Sequence, residues 1–287
     1  MPNYQIITDS VCDLPKDMLA ELKVKTVPLH LLFRGESLED SVDQGLKEVY
    51  DGMRAGEAAS TAAANPQGWT AVMEPVLAAG EDLLVLGFSS GLSTTYQSAV
   101  IAAQELEEKY PQRKIRVVDT LSAALGQGLL VWYTCKMRDQ GLSLEELADW
   151  VEENKLHICH WFTVDDLMHL KRGGRVSAAT ALVGTMLQIK PVLHVDDNGR
   201  LVSMVKARGR KASIEALAKK LDELGEGYDN STVFVCHGDC PEEADKLKDL
   251  LLQRPGVKEV FVGALGAVIG AHAGPGTLAV FFRGEHR

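Results

Sequence analysis

A surplus of positive charge is absent from this 287-residue chain: 30 Lys and Arg stand against 40 Asp and Glu, for a net charge of −10. Neutralising a phosphate backbone needs a positive surface, so no nucleic-acid partner is expected. An even set of cysteines is also missing. The five present are Cys12, Cys135, Cys159, Cys236 and Cys240. A chain of this length does not need disulfide staples, so free thiols in a reducing compartment are expected. No pair has the C-x₂-C spacing of a structural zinc site. His157, Cys159 and His160, and the run Cys236-His237-Gly238-Asp239-Cys240, are read as buried groups beside strands, with no metal. The segment Met1-Pro2-Asn3-Tyr4-Gln5 has neither a basic n-region nor an apolar h-region, and a cytoplasmic location is expected. Internal repeats and low-complexity stretches are lacking too. With 46% hydrophobic and 24% charged residues, the composition is that of a globular protein.

One long stretch without charge stands out. Val260 to Phe282 contains no Asp, Glu, Lys or Arg, and its length could cross a bilayer. Its glycines, Pro275 and His272 argue against that. It is read as two short strands around a glycine-rich loop, with no integral membrane segment.

Short apolar runs alternate with amphipathic ones in the first half. Tyr4 to Ile7, Leu83 to Leu86 and Ile115 to Val118 read as strands. Between them, Trp69, Val72, Met73, Val76 and Leu77 share one helical face, with a bend expected at Pro75. Ala99, Val100, Ala103 and Leu106 form a second stripe. This alternation predicts βα units on a mostly parallel sheet, hence a three-layer α/β domain. Asn65-Pro66 marks a helix start, and Ser143 with Glu146 forms a capping box. The texture then changes. A strand is expected over Ile158 to Val164, a hairpin around Asn198-Gly199, helices over Ser213 to Leu224 and Pro241 to Leu252, and a strand over Thr232 to Cys236. The second half is read as α+β with a mixed, antiparallel-rich sheet. The expected domains are 1–156 and 157–287, with chain ends free to cross back.

Polar residues follow the first-half strands: Thr8-Asp9-Ser10, then Ser89 to Thr95, then Asp119-Thr120. Ligands of open α/β sheets sit at those strand ends. Ser89, Ser90, Ser93, Thr94 and Thr95 put hydroxyls at a helix start, which suits an anion or simply caps the helix. No P-loop lysine follows, which argues against a nucleoside triphosphate. Ser60-Thr61 sits ahead of a second helix start. His272 stands alone in apolar sequence, as a core histidine or as a third donor. Gly87-Phe88-Ser89-Ser90-Gly91 matches the G-x-S-x-G nucleophile elbow, so a serine hydrolase using Ser89, His272 and Asp119 is the alternative reading. Arg172, Arg175, Arg208 and Arg210 concentrate positive charge in an acidic chain, as a solvated face or as a docking surface for a partner or phosphate.

Taken together, Thr8-Asp9-Ser10…Asp13-Leu14-Pro15, Val27-Pro28-Leu29, Ser60-Thr61…Pro66, Ser89 to Ala99, Lys171 to Val176, Ile189-Lys190-Pro191 and Ile269 to Gly276 resemble the DegV family of bacterial fatty-acid-binding proteins. Within it, the chain is similar to the binding subunits of the fatty acid kinase system, and the resemblance covers essentially its whole length. The resemblance implies a lipid tunnel between two domains and no catalytic residues of its own. It also implies no cofactor beyond a bound long-chain fatty acid, and a separate kinase protein as partner. By motif position, Thr61, Ser93 and His272 would hold the carboxylate. Two departures fall beside these residues. The family usually has Thr-Ser-Gln-Pro-Ser-Pro where this chain has Thr61-Ala62-Ala63-Ala64-Asn65-Pro66, and Gly where Thr94 stands.

Overall fold

The computed structural model describes residues 3–176 and 189–287. In chain order the strands are β1 (Tyr4–Asp9), β2 (Val24–Val27), β3 (His30–Phe33), β4 (Glu36–Glu39), β5 (Ala59–Ala62), β6 (Asp82–Gly87), β7 (Ile115–Asp119), β8 (Ile158–Thr163), β9 (Ile189–Val195), β10 (Leu201–Arg208), β11 (Thr232–His237), β12 (Glu259–Ala264) and β13 (Leu278–Arg283). The helices are α1 (Lys16–Glu21), α2 (Leu46–Arg54), α3 (Pro66–Ala78), α4 (Thr95–Lys109), α5 (Ala124–Asp139), α6 (Leu144–Asn154), α7 (Met168–Arg172), α8 (Arg210–Leu224), α9 (Pro241–Leu252) and α10 (Ala267–Ala273).

The first-half strands pair in parallel in the order β2-β1-β6-β7. Alternation along each strand separates two apolar faces. Ile7, Leu83 and Val85 pack with Trp69, Met73 and Ala99 of α3 and α4. Ile6, Leu84 and Leu86 pack with residues of α5 and α6. Three layers result, as the alternation predicts. The helix starts also form as the sequence indicates. Asn65 accepts from Gly68 N at 2.8 Å, and Ser143 with Glu146 makes a reciprocal capping box.

The second half builds a six-stranded sheet, β10-β9-β8-β13-β11-β12, in which only β11 and β12 run parallel. Its hairpin turns at Asn198-Gly199, where Gly199 takes φ 68°. Helices α8 and α9 cover one face through Leu217, Leu221, Leu247 and Leu251.

The other face meets α5. This helix lies between the two sheets, and its first two turns, Ala124 to Val131, are buried on all sides. It has no polar stripe, so periodicity gives no sign of it. Two glycines let it approach closely. A Cβ on Gly126 would overlap His160 Nε2, and one on Gly128 would lie 2.5 Å from the Cys12 carbonyl oxygen.

A small antiparallel sheet, β4-β3-β5, was also missed in the sequence reading. Arg34 and Gly35 both take positive φ and join β3 to β4 as a two-residue hairpin. In the structure Leu31 and Phe33 are buried and Leu32 is exposed, but with Leu at both 31 and 32 the sequence shows no alternation to reveal it.

The expected glycine-rich loop after Val260 is corrected. Residues 267–273 form α10, whose Gly270 accommodates the Tyr50 ring. Among the described residues, no helix is long and apolar enough to cross a membrane.

Candidate functional site

A cavity of about 500 Å³ opens between the two sheets. Leu29, Phe88, Leu92, Phe162, Leu265, Val268, Ile269 and Phe281 supply most of its apolar wall. Thr61, Ser93, Thr94 and His272 all line it as well. The structure therefore brings together four residues from three distant segments that the sequence reading singled out separately.

Each is positioned by a different device. Thr61 lies on β5 opposite buried Leu31 of β3, and its Oγ1 is 2.8 Å from His272 Nε2. His272 is in the last turn of α10, and the start of that helix is anchored by Asp40. Asp40 Oδ1 accepts from Val268 N at 3.0 Å, while Ser10 Oγ donates to Oδ2 at 3.1 Å. Tyr50 Oη donates to the Leu265 carbonyl at 2.9 Å, and its ring lies against Gly270. Gly173 packs against His272 Nδ1 so tightly that a Cβ there would overlap it. Burial, aided by the nearby Arg175 cation, lowers His272 to about 4. The imidazole is thus neutral near pH 7, with one N–H to donate.

Ser93 belongs to the loop between β6 and α4. It accepts from Thr95 N at 3.2 Å and lies 2.9 Å from Thr95 Oγ1, so it caps α4 while facing the cavity. Thr94 is exposed and makes no side-chain cap bond. Two acids, buried Asp9 and half-buried Asp119, brace the loop from behind. Asp9 Oδ2 accepts from Phe88 N at 2.7 Å, and Asp119 Oδ1 accepts from Ser90 N at 3.2 Å. Burial pushes the Asp9 carboxyl up to about 7. The strand-end polar groups expected to gather at one edge do gather there, and there Asp9 and Asp119 hold the loop's backbone.

The hydrolase constellation does not assemble. Ser89 is fully buried, outside the cavity lining, and its Oγ donates to the Gly199 carbonyl at 2.8 Å. Asp119 Oδ1 is engaged by the amides of Ser90 and Leu121. His272 pairs with Thr61 instead. Gly87 to Gly91 is a turn whose buried serine ties it to the β9–β10 hairpin.

The four arginines separate. Arg175 reaches the cavity wall, donating through Nε to the Leu92 carbonyl at 3.2 Å. Arg172 and Arg208 are exposed. Arg210 turns inward to the Gly276 carbonyl at 2.6 Å and pairs loosely with Asp165 at 3.8 Å. All five cysteines are buried and free. Among the described residues, no cluster of His, Cys, Asp and Glu could hold a metal ion.

Sequence reading missed much of the apolar lining. It read His160 as a buried group beside a strand, as it is at 1% exposure, but did not place it on the cavity wall, which it faces from β8. Its Nδ1 lies 2.8 Å from the Ile158 carbonyl. Gly126 of α5 packs directly against it, a contact between residues 34 apart that only the folded chain reveals.

An α/β protein with an apolar cavity between its two larger sheets, and a polar group of hydroxyls and imidazole on the cavity wall, is the class that this geometry defines. The chain belongs to the DegV family: the model described as "Uncharacterised protein, DegV family" matches residues 3–285. A DegV domain-containing protein of Clostridium perfringens is 43% identical over 287 residues, covering 99% of each chain. The solved structure titled for fatty acid binding of a DegV family protein from Thermus thermophilus is 33% identical. It covers 98% of this chain and 99% of that one, with a TM-score of 0.89. The Streptococcus pneumoniae Fatty Acid Kinase (Fak) B3 protein loaded with linoleic acid shares the fold. It is 23% identical, covers 99% of this chain and 100% of that one, and has a TM-score of 0.86.

Proposed function

We propose that this protein binds a long-chain fatty acid. Its carboxylate is held by Thr61, Ser93 and His272, with Thr94 at the rim, and its alkyl chain lies in the cavity between the sheets. The observation that carries this reading is the convergence of these four polar residues on one predominantly apolar cavity. Burying a C16 chain at about 0.8 kcal/mol per CH₂ supplies on the order of 11 kcal/mol before costs. Apolar burial therefore provides the affinity. The polar groups satisfy a carboxylate that would otherwise be buried unpaired. The fatty acid binding named for the Thermus thermophilus relative supports the same ligand class.

The bound acid is then presented to a separate ATP-using kinase, which makes an acyl phosphate. The family resemblance supports this step. The basic residues Arg172 and Arg208, both exposed, supply the docking face, while Arg210 is held inward by Gly276. The chain contributes no catalytic residue in this reading.

Calorimetric titration of delipidated protein with C12, C16 and C18 acids tests the ligand. One site with affinity rising with chain length is expected. Equal affinity for acetate and palmitate would remove the apolar cavity from the account.

A further inference from the structure

Asp13 is a buried acid that lies outside the cavity lining. It follows the short 3-10 turn Ser10–Cys12 after β1, and its backbone takes φ 55°. Its amide donates to the Ser10 carbonyl at 3.2 Å. Its side chain is fully buried, and neither carboxyl oxygen has a hydrogen-bond partner. The side chain lies at the start of α10. A Cβ on Gly266 would overlap Asp13 Oδ1 and would stand 3.3 Å from Asp40 Oδ1, so the two carboxyls flank one glycine.

The titratable groups around Asp13 are all acids, phenol or thiols. They are Asp9 from β1, Asp40 beyond β4, Tyr50 from α2, neighbouring Cys12, and Cys236 from β11. Among the described residues, no cation pairs with it. A bare carboxylate there would bear its full desolvation cost with nothing to offset it. Burial first, and the Asp40 charge second, therefore hold the carboxyl well above its ordinary value, and the Gly266 amide does not reverse this.

A neutral acid has one hydrogen to donate. The acceptor across Gly266 is Asp40, which already takes Val268 N at 3.0 Å and Ser10 Oγ at 3.1 Å. A carboxylate has lone pairs for a further donor. Two carboxyls buried together are stable when they share a single proton.

We propose that Asp13 is a positioning residue for the carboxylate site: as a neutral acid it donates to Asp40, and Asp40 fixes the start of α10 and so the place of His272 beside Thr61. Asp13 touches no ligand and acts through Asp40 and the helix. Its role in binding rests on the fatty-acid reading, whereas its protonation and its effect on His272 do not.

The test uses the full chain, first without lipid and then with palmitate. With ¹³C-labelled aspartate carboxyls, one wild-type signal missing from Asp13→Asn should stay at the protonated position from about pH 5 to about pH 8. His272 should titrate at about 4 in wild type. The midpoint should be kept in Asp13→Asn, which retains a neutral donor of the same shape. It should rise by about one unit or more in Asp13→Ala. Palmitate affinity should stay within about twofold of wild type in Asp13→Asn and fall about tenfold in Asp13→Ala. An Asp13 signal at the ionised position at neutral pH would overturn the neutral acid. Equal losses in Asp13→Asn and Asp13→Ala would overturn the donor role. A wild-type midpoint and affinity in Asp13→Ala would overturn the positioning of His272. If Asp13→Ala does not fold, the carboxyl signal and Asp13→Asn decide by themselves. Wild type with the protonated signal and the expected His272 midpoint that takes up no palmitate would defeat the fatty-acid reading and leave the positioning of His272 standing.

Discussion

The two polar walls of the cavity are built on opposite principles. The Ser93 wall is a loop braced by hydrogen bonds: Asp9 on Phe88 N, Asp119 on Ser90 N, Ser89 on the Gly199 carbonyl. The His272 wall is a short helix fitted by contact, with Tyr50 against Gly270 and Gly173 against the imidazole. A braced loop keeps its backbone while the outward side chain varies. A helix seated on glycines has no room for one more carbon. The first wall should therefore tolerate change at the cavity, and the second should not.

The comparison breaks if Gly270→Ala is silent. A methyl there would overlap Tyr50 Oη, and overpacking of this kind costs about 1–3 kcal/mol. A clear drop in melting temperature is expected, along with weaker ligand binding because α10 carries His272. Next come the contact residues themselves. Ser93→Ala and His272→Ala should each weaken palmitate binding by about 1–3 kcal/mol while the fold persists. Palmitate affinity equal to wild type in both would remove the head-group assignment.

How much of this was open to sequence reading differs between the walls. The Ser93 loop was legible, because hydroxyls cluster locally between a strand and a helix start. The fold class was legible from strand and helix periods. The His272 wall was not, beyond the lone histidine. Its partners Tyr50, Gly173 and Asp40 are distant in sequence and join it only through tertiary packing. Helix α10 itself was read as a loop, since glycines weaken the helical pattern. Helix α5 escaped because burial on every side of its first two turns removes amphipathicity. Thr61 was found, but the hairpin sheet that presents it was not.

Acid–base behaviour sharpens the contrast. Burial raises the Asp9 carboxyl to about 7, from an unfolded value near 4. Between those values the unfolded chain has released a proton that the folded chain keeps. Stability from this group is thus full at low pH and is lost as pH rises through 7, by about 1.4 kcal/mol per pH unit. Asp9→Asn should flatten that part of a denaturation–pH profile, and an unchanged slope would contradict it. His272 runs the other way. Its folded value near 4 lies below the ordinary 6.5, so its contribution is present above 6.5 and is lost as pH falls towards 4. In an NMR titration of empty protein, the His272 ring should titrate close to 4, and a bound carboxylate should raise that midpoint. A midpoint at 6.5 in the empty protein would mean that the imidazole is not held as described.

The smallest effect belongs to Thr94. Its side chain is exposed and bonds to nothing as a cap, so Thr94→Gly should change palmitate affinity by less than about 0.5 kcal/mol. A larger loss would show that this wall also contributes through its rim.

The central claim is that one long-chain fatty acid occupies the space between the sheets. Native mass spectrometry of the purified chain, before and after organic extraction, tests it most directly when the extract is identified alongside. The account predicts a mass excess of one fatty acid per chain, lost on extraction and restored by added palmitate. A chain that is empty as purified and takes up no added C16 or C18 acid would contradict it.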